Sequence, residues 1–339
     1  MISFRRRDHF PMEKFLLGLG VGILFGYILQ RGRFCMYTAF RDILLIKDLT
    51  LFKAYLLALT IQVVLIHLFE ELGWLSVSVP SFLWLSAMLG GFVFGLGMTL
   101  AGGCSSSSYY RIGEGMVGSF VVVVMFIIAA GATSGGALRP LALLLRSVQV
   151  DMGENSATVS HLLGLNSWPL ILILFIPLAV WLYLSHPTPP QRGWPWKKTG
   201  VLLGLVAALA WLASAWSGDV HYGLRMTGPS ASLLFYLANG DLADLNWGVF
   251  EIMGVPVGGF LAARWNGEFH WRAPKPRRLM QQALGGAIMG VGAVVAGGCN
   301  IGNSLTGVGT LSLTSLVATI FLVLGTWSGT YLFFLRRAG

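Results

Sequence analysis

The chain has little charge and almost no cysteine. Of its 339 residues only 11% are Asp, Glu, Lys or Arg, whereas 55% are apolar, and the mean hydropathy is +0.72. Soluble domains carry about 25% charged residues, and so few charges do not cover a water-facing surface on a chain of this length. The shortage excludes a water-soluble fold and makes lipid the solvent for much of the surface. The three cysteines, Cys35, Cys104 and Cys299, are too few and too scattered for a disulfide framework. Their spacing matches no zinc or iron–sulfur pattern, so no metal is expected. There is no Cys-x-x-Cys pair, no cofactor motif and no nucleotide-binding loop, which argues against an enzyme and implies no cofactor. The net charge of +9 is spread over short loops without a basic helix or stripe, so no nucleic-acid partner is expected either.

Glycine and long apolar runs are what the chain has in abundance. Forty-four glycines suit close packing of helices in a bilayer. Runs long enough to cross roughly 30 Å of hydrocarbon fall at 15–30, 51–69, 82–103, 116–135, 168–185, 199–217, 246–265, 279–298 and 311–335. The first, preceded by Arg5, Arg6 and Arg7, resembles a signal peptide but lacks a small-residue cleavage site, and reads as a first membrane helix. Four further stretches, 35–46, 104–112, 229–238 and 299–306, are too short to span and too apolar for ordinary loops. Backbone at membrane depth must be buried in protein or line a wet cavity, which predicts short re-entrant helices. The fold expected is therefore all-α and integral to the membrane, a single transmembrane domain over 1–339 with about nine spans and four re-entrant helices.

A repeat organises these spans. Leu89–Cys104 aligns with Leu284–Cys299 at a constant offset of 195, with nine of sixteen positions identical and both segments closing on Ala-Gly-Gly-Cys. Spans at 15–135 then form a first unit, 168–185 a linker helix and 199–335 a second unit. An offset of five spans inverts the second unit, which is how many transporters build a site near the midplane. Outside the spans, seven Lys and Arg lie on the side of the N-terminus, Arg139, Arg146 and Arg225 among them, and sixteen on the other, among them Arg272, Lys275, Arg277, Arg278, Arg336 and Arg337. The positive-inside rule puts the C-terminus in the cytoplasm and the N-terminus outside.

All three cysteines stand at ends of apolar helices, beside a predicted re-entrant segment. Cys104 and Cys299 each precede a polar turn, Ser105–Ser108 with Arg111 in one case and Asn300 with Asn303 in the other; Cys35 follows Arg31-Gly32-Arg33-Phe34. Hydroxyls, amides and free backbone N–H groups at half-helix ends replace the water around an anion. Helix capping accounts for part of this pattern, but not for the recurrence of such turns after cysteines in both units.

Gln30-Arg31-Gly32-Arg33-Phe34-Cys35, Ala101-Gly102-Gly103-Cys104 with Tyr110-Arg111-Ile112-Gly113-Glu114-Gly115, and Gly297-Gly298-Cys299-Asn300-Ile301-Gly302-Asn303 resemble signatures of the YeeE/YedE-type sulfur transport family. Thr227-Gly228-Pro229-Ser230-Ala231 and Asn246-Trp247-Gly248-Val249-Phe250 resemble its second-half motifs; the all-serine run Ser105–Ser108 departs from its pattern. The resemblance runs over nearly the whole chain, nearest to members that take up thiosulfate. It implies a path lined by Cys35, Cys104 and Cys299, a bacterial inner membrane, and a cytoplasmic sulfur-carrier partner. Arg33, Arg111, Ser105, Asn300 and Asn303 are the supporting residues expected along that path. The alternative, a membrane thiol-redox or sulfur/selenium-relay protein, predicts a closely spaced cysteine pair and a cofactor motif, and the sequence has neither.

Overall fold

The computed structural model describes residues 12–79, 81–150, 157–185, 193–218 and 222–335. Arg5, Arg6, Arg7, Arg336 and Arg337, which enter the charge count, lie outside these residues. Every regular element among the described residues is helical, as lipid demands of an open chain, because a helix satisfies its own backbone. The helices are α1 (Met12–Arg31), α2 (Met36–Leu45), α3 (Thr50–Glu71), α4 (Trp84–Ala101), α5 (Ser105–Gly113), α6 (Val117–Ser134) and α7 (Arg139–Ser147). They continue with α8 (Val159–Leu163), α9 (Ser167–Leu184), α10 (Trp196–Trp216), α11 (Thr227–Asn239), α12 (Trp247–Trp265), α13 (Pro276–Val295) and α14 (Leu313–Thr330). A π-helix, Ile301–Gly307, lies between the last two.

Seven helical segments are long and apolar enough to cross a membrane. The chain is thus a multi-pass membrane protein. The expected spans at 246–265 and 279–298 are helices of 19 and 20 residues, α12 and α13, but fall short in apolar character. Glu251, Pro256 and glycine dilute the first, and Arg277, Arg278, Gln281 and Gln282 the second. Both are wrapped by protein, α12 by α1, α5 and α11 and α13 by α4 and α6. A helix that faces other helices has less need of an apolar surface.

The four short stretches are helical as well: α2, α5, α11 and the π-helix. Segment 12–45 runs 34 residues and segment 84–113 runs 30, against the ~20 that a bilayer requires. Each therefore breaks, the first at Gly32–Cys35 and the second at Gly102–Cys104. Gly102 and Gly297, 195 residues apart, both take left-handed backbone, at φ +75° and +82°, which only glycine adopts without cost.

Helix contacts recur at the same offset. α4 and α13 cross antiparallel with backbone against backbone. A Cβ on Gly90 would overlap Ala296 and crowd Gly292, and a Cβ on Gly285 would overlap Ala101 and crowd Gly97. Each residue of the first contact lies 195 positions from its counterpart in the second. The flanking helices pack in a similar way, with Gly91 against the Ala318 carbonyl of α14 and Gly286 against the Val122 carbonyl of α6; the glycines are 195 positions apart and the carbonyls 196. α1 packs along α12 through Gly22 and Gly26, and α10 along α3 through Gly200 and Gly204.

These crossings predict a sharp contrast on one helix. A Cβ at Gly22 would overlap the Glu251 carbonyl, whereas the space around Gly20 is open. Gly22→Ala should lower the stability of the detergent-purified protein by about 1–3 kcal/mol, the range for overpacking. Gly20→Ala should leave it unchanged or raise it. Equal thermal shifts for the two would contradict the backbone contact.

Candidate functional site

The helix breaks bring the cysteines inward. Cys35 is the N-cap of α2 and Cys104 the N-cap of α5, both with extended backbone. All three cysteines are buried and free, at no more than 1% exposure. The Cys35 and Cys104 sulfurs lie 3.8 Å apart, far beyond a disulfide bond and within reach of a weak S–H contact. Ser107 Oγ sits 3.2 Å from Cys35 Sγ, and Ser106 Oγ 3.4 Å from Cys104 Sγ. The Ser107 and Ser108 hydroxyls both donate to the Cys104 carbonyl at 3.0 Å. These serines satisfy the exposed backbone of the break and crowd polar groups around both thiols.

The turns after Cys104 and Cys299 meet beside the cysteines. Ser105 Oγ donates to Asn300 Oδ1 at 3.0 Å, so the residues that follow Cys104 and Cys299 touch, again 195 positions apart. Asn300 is fully buried, and its Nδ2 has no hydrogen-bond partner among the described residues. Cys299 Sγ accepts from the Gly302 backbone N–H at 3.5 Å. Asn303 donates to the Gly298 carbonyl at 2.8 Å and accepts from Ser315 at 3.2 Å. It fastens the turn after Cys299 as the serines fasten the turn after Cys104.

A cavity of about 430 Å³ lies on this side, lined among others by Arg146, Arg225, Thr227, Gly298, Gly302 and Asn303. It reaches the residues that flank Cys299. Arg225 lies over the Tyr222 ring, 3.7 Å from its centroid, and Arg146 donates to the Val294 carbonyl at the end of α13. Neither arginine forms an ion pair among the described residues. Glu251 is fully buried in α12 within the electrostatic reach of Arg225 and Cys299, and its carboxyl oxygens make no ordinary hydrogen bond.

The two arginines expected beside the cysteines fare differently. Arg111 is half-buried, donates to the Gly102 carbonyl at 3.5 Å, and lies close enough for its charge to act on Cys35 and Cys104. Arg33 is held in ion pairs with Glu114 and Glu268, at 2.8 and 2.7 Å. Burial alone would raise the Glu268 carboxyl, but hydrogen bonds from Gln30 and Arg33 outweigh it and hold Glu268 below the usual carboxylate range. That contribution is present at neutral pH and is lost only as pH falls through the depressed value. Sequence reasoning counted Arg146 and Arg225 as side markers and did not single out Glu268 or Gln30. Only the fold places Arg146 and Arg225 around the cavity beside Gly298 and Gly302 and pairs Glu268 with Gln30 and Arg33, and no local spacing signals either.

The Ser105–Asn300 bond can be weighed directly. Ser105→Ala and Asn300→Ala should be non-additive in a double-mutant cycle on thermal stability, with a coupling of about 0.5–1.5 kcal/mol. Full additivity would mean that the two turns do not meet there.

The family described as "Sulphur transport" matches residues 31–328. The chain is 40% identical to the thiosulfate transporter TsuA of Spirochaeta thermophila, over 94% of this chain and 99% of the relative. It is 34% identical to the thiosulfate transporter TsuA of Escherichia coli, over 95% of each. The probable transporter YedE of Salmonella typhimurium shares 33% identity over 34% of this chain and 29% of its own length. A family match across both breaks and all three cysteines, with relatives aligned end to end, means that this chain belongs to the sulphur transport family.

Proposed function

We propose that the protein is a permease that takes up thiosulfate through a path lined by Cys35, Cys104 and Cys299. The observation that carries the reading is the gathering of these thiols at helix breaks, with 3.8 Å between the Cys35 and Cys104 sulfurs. The near full-length similarity to two thiosulfate transporters supplies the substrate. Thiosulfate is a dianion with a soft, polarisable terminal sulfur, and a thiol is a weak donor and a soft neighbour. A cation at every station would hold a dianion too tightly, whereas conduction needs sites that release what they bind. Ser105, Asn300 and Asn303 supply neutral polar contacts between thiols, and Arg111 offsets the desolvation of the anion. The cavity beside Arg146 and Arg225 is its mouth.

The architecture that suits this reading is an inverted repeat of nine spans and four re-entrant helices, with units 15–135 and 199–335 joined by the helix at 168–185. Reciprocal contacts at an offset of 195 support it. We read the location as a bacterial inner membrane, with the N-terminus outside and the C-terminus in the cytoplasm. A dianion entering a negative cell faces about 4.6 kcal/mol per 100 mV. A cytoplasmic sulfur-carrier protein that removes sulfur on arrival would provide the sink. The short sulfur–sulfur distance favours a second reading, a thiol-redox or sulfur/selenium-relay protein.

Transport without a partner separates the two. Proteoliposomes holding the protein alone should exchange labelled thiosulfate in counterflow. Replacing any one of the three cysteines by Ala should slow exchange about tenfold or more, the scale of one lost contact to a charged group. Ser should restore part of it in the permease and none in a relay, which needs sulfur. Full exchange by a Cys104→Ala protein of normal abundance would reject the path. Arg111→Gln should weaken apparent affinity more than Lys275→Gln, which changes an exposed loop. Labelling at positions 277 and 154, the second outside the described residues, should place them on opposite faces; the same face would reject the inverted repeat.

A further inference from the structure

Arg33 sits in the turn from α1 to α2, two residues before Cys35, in left-handed backbone at φ +49°. A non-glycine residue keeps that conformation only where its surroundings over-determine it. Its guanidinium contacts Glu114 at 2.8 Å and Glu268 at 2.7 Å. Gln30 Nε2 donates to the same two carboxylates, at 3.2 and 2.6 Å, and Arg31 lies 3.7 Å from Glu268. The cluster ties the end of α1 to the α5–α6 turn and to the α12–α13 connection. Backbone bonds close the seam beside it, from His270 N to the Glu114 carbonyl at 3.3 Å and from Arg272 N to the Gly115 carbonyl at 2.9 Å.

The opposite end differs. There the 430 Å³ cavity approaches the turn of Cys299 past Arg146 and Arg225, which form no ion pair among the described residues. On the proposed path, the cavity lies at the Cys299 end and the ion-pair cluster at the Cys35 end. Outside the closure is a hollow of about 340 Å³ lined by Arg33, Gly267, Glu268, His270 and Arg272. Release of Arg33 would join it to the cysteines.

We propose that the Arg33–Glu114–Glu268 cluster, completed by Gln30 and Arg31, is a gate that the arriving dianion opens by replacing the two carboxylates on the two arginines. The inference rests on the thiosulfate reading for its ligand. Charge balance carries the exchange. Two cations face two carboxylates, and a dianion brings the same two negative charges to the arginines. A monoanion replaces only one carboxylate, so the arginines stay tied to the other and the cluster is only half released. The gate therefore adds a selection by charge that neutral thiols do not provide.

The test reads accessibility and needs no transport. Full-length protein is reconstituted with known sidedness, and an impermeant methanethiosulfonate is added at the face carrying Arg272. Labelled peptides are quantified by mass spectrometry. In the unaltered protein Cys35 should react slowly from this face. Glu114→Gln and Glu268→Gln should each speed its labelling about tenfold, equivalent to about 1.4 kcal/mol, while Cys299 labelling from the other face stays constant. Unchanged Cys35 rates in both variants overturn the gate, as does an equal rise at all three cysteines, which reports loosened packing. If the glutamine variants do not reach the membrane, Glu268→Asp decides, because a shortened carboxylate must also speed Cys35 labelling. Adding thiosulfate to the unaltered protein should raise the rate and nitrate should not. A rise in the variants without a thiosulfate effect supports the gate and rejects thiosulfate as what opens it.

Discussion

Where α4 crosses α13, two glycine-lined backbones lie against each other, backbone atom against backbone atom at Gly90 and at Gly285. In water such glycines would weaken a helix by about 1 kcal/mol each relative to alanine. In a bilayer no hydrophobic force drives one helix onto another, and close van der Waals approach takes its place. The crossing carries two loads. It joins the segments that carry the repeated glycines, and it keeps both Gly-Gly-Cys breaks buried in protein.

Breaking a helix at membrane depth exposes donors and acceptors that must be satisfied. Around Cys104 the serine hydroxyls close back on its carbonyl, and Asn303 does the same for the Gly298 carbonyl. After these local debts are met, some polar atoms among the described residues remain over, and Asn300 Nδ2, next in the chain to Cys299, is one of them. Buried groups without partners are rare in native proteins. Stability demands the satisfied bonds; the leftover groups are available to a polar passenger.

Charge is distributed unequally along the same route. Arg146 and Arg225 face a cavity and form no ion pair among the described residues, whereas Arg33 is held by Glu114 and Glu268 at the other end. On the path proposed above, an anion is attracted at one mouth, passes weak neutral sites and meets opposition where the arginines are already neutralised, and the proposed thiol stations fit a soft sulfur anion.

Composition alone determined that the chain lives in lipid, because 11% charge does not cover a water-facing surface. The lengths of the apolar runs located every major helix, and the shortness of four others located α2, α5, α11 and the π-helix. The repeated Gly-Gly-Cys pointed to Cys104 and Cys299 because local backbone needs, a left-handed glycine and a polar turn, are written in adjacent residues. Short helices α7 and α8 left no such mark, since their sequences are ordinary amphipathic connections. Tertiary structure alone decided that Cys35 meets Cys104 across 69 positions, that Ser105 meets Asn300 across 195, and that Arg33 is taken by Glu114 and Glu268. Periodicity reports which face of a helix avoids water, and it is silent on which distant helix that face will find. The partners of a buried thiol or arginine are set by crossings between helices far apart in the chain, and only the folded molecule contains that information.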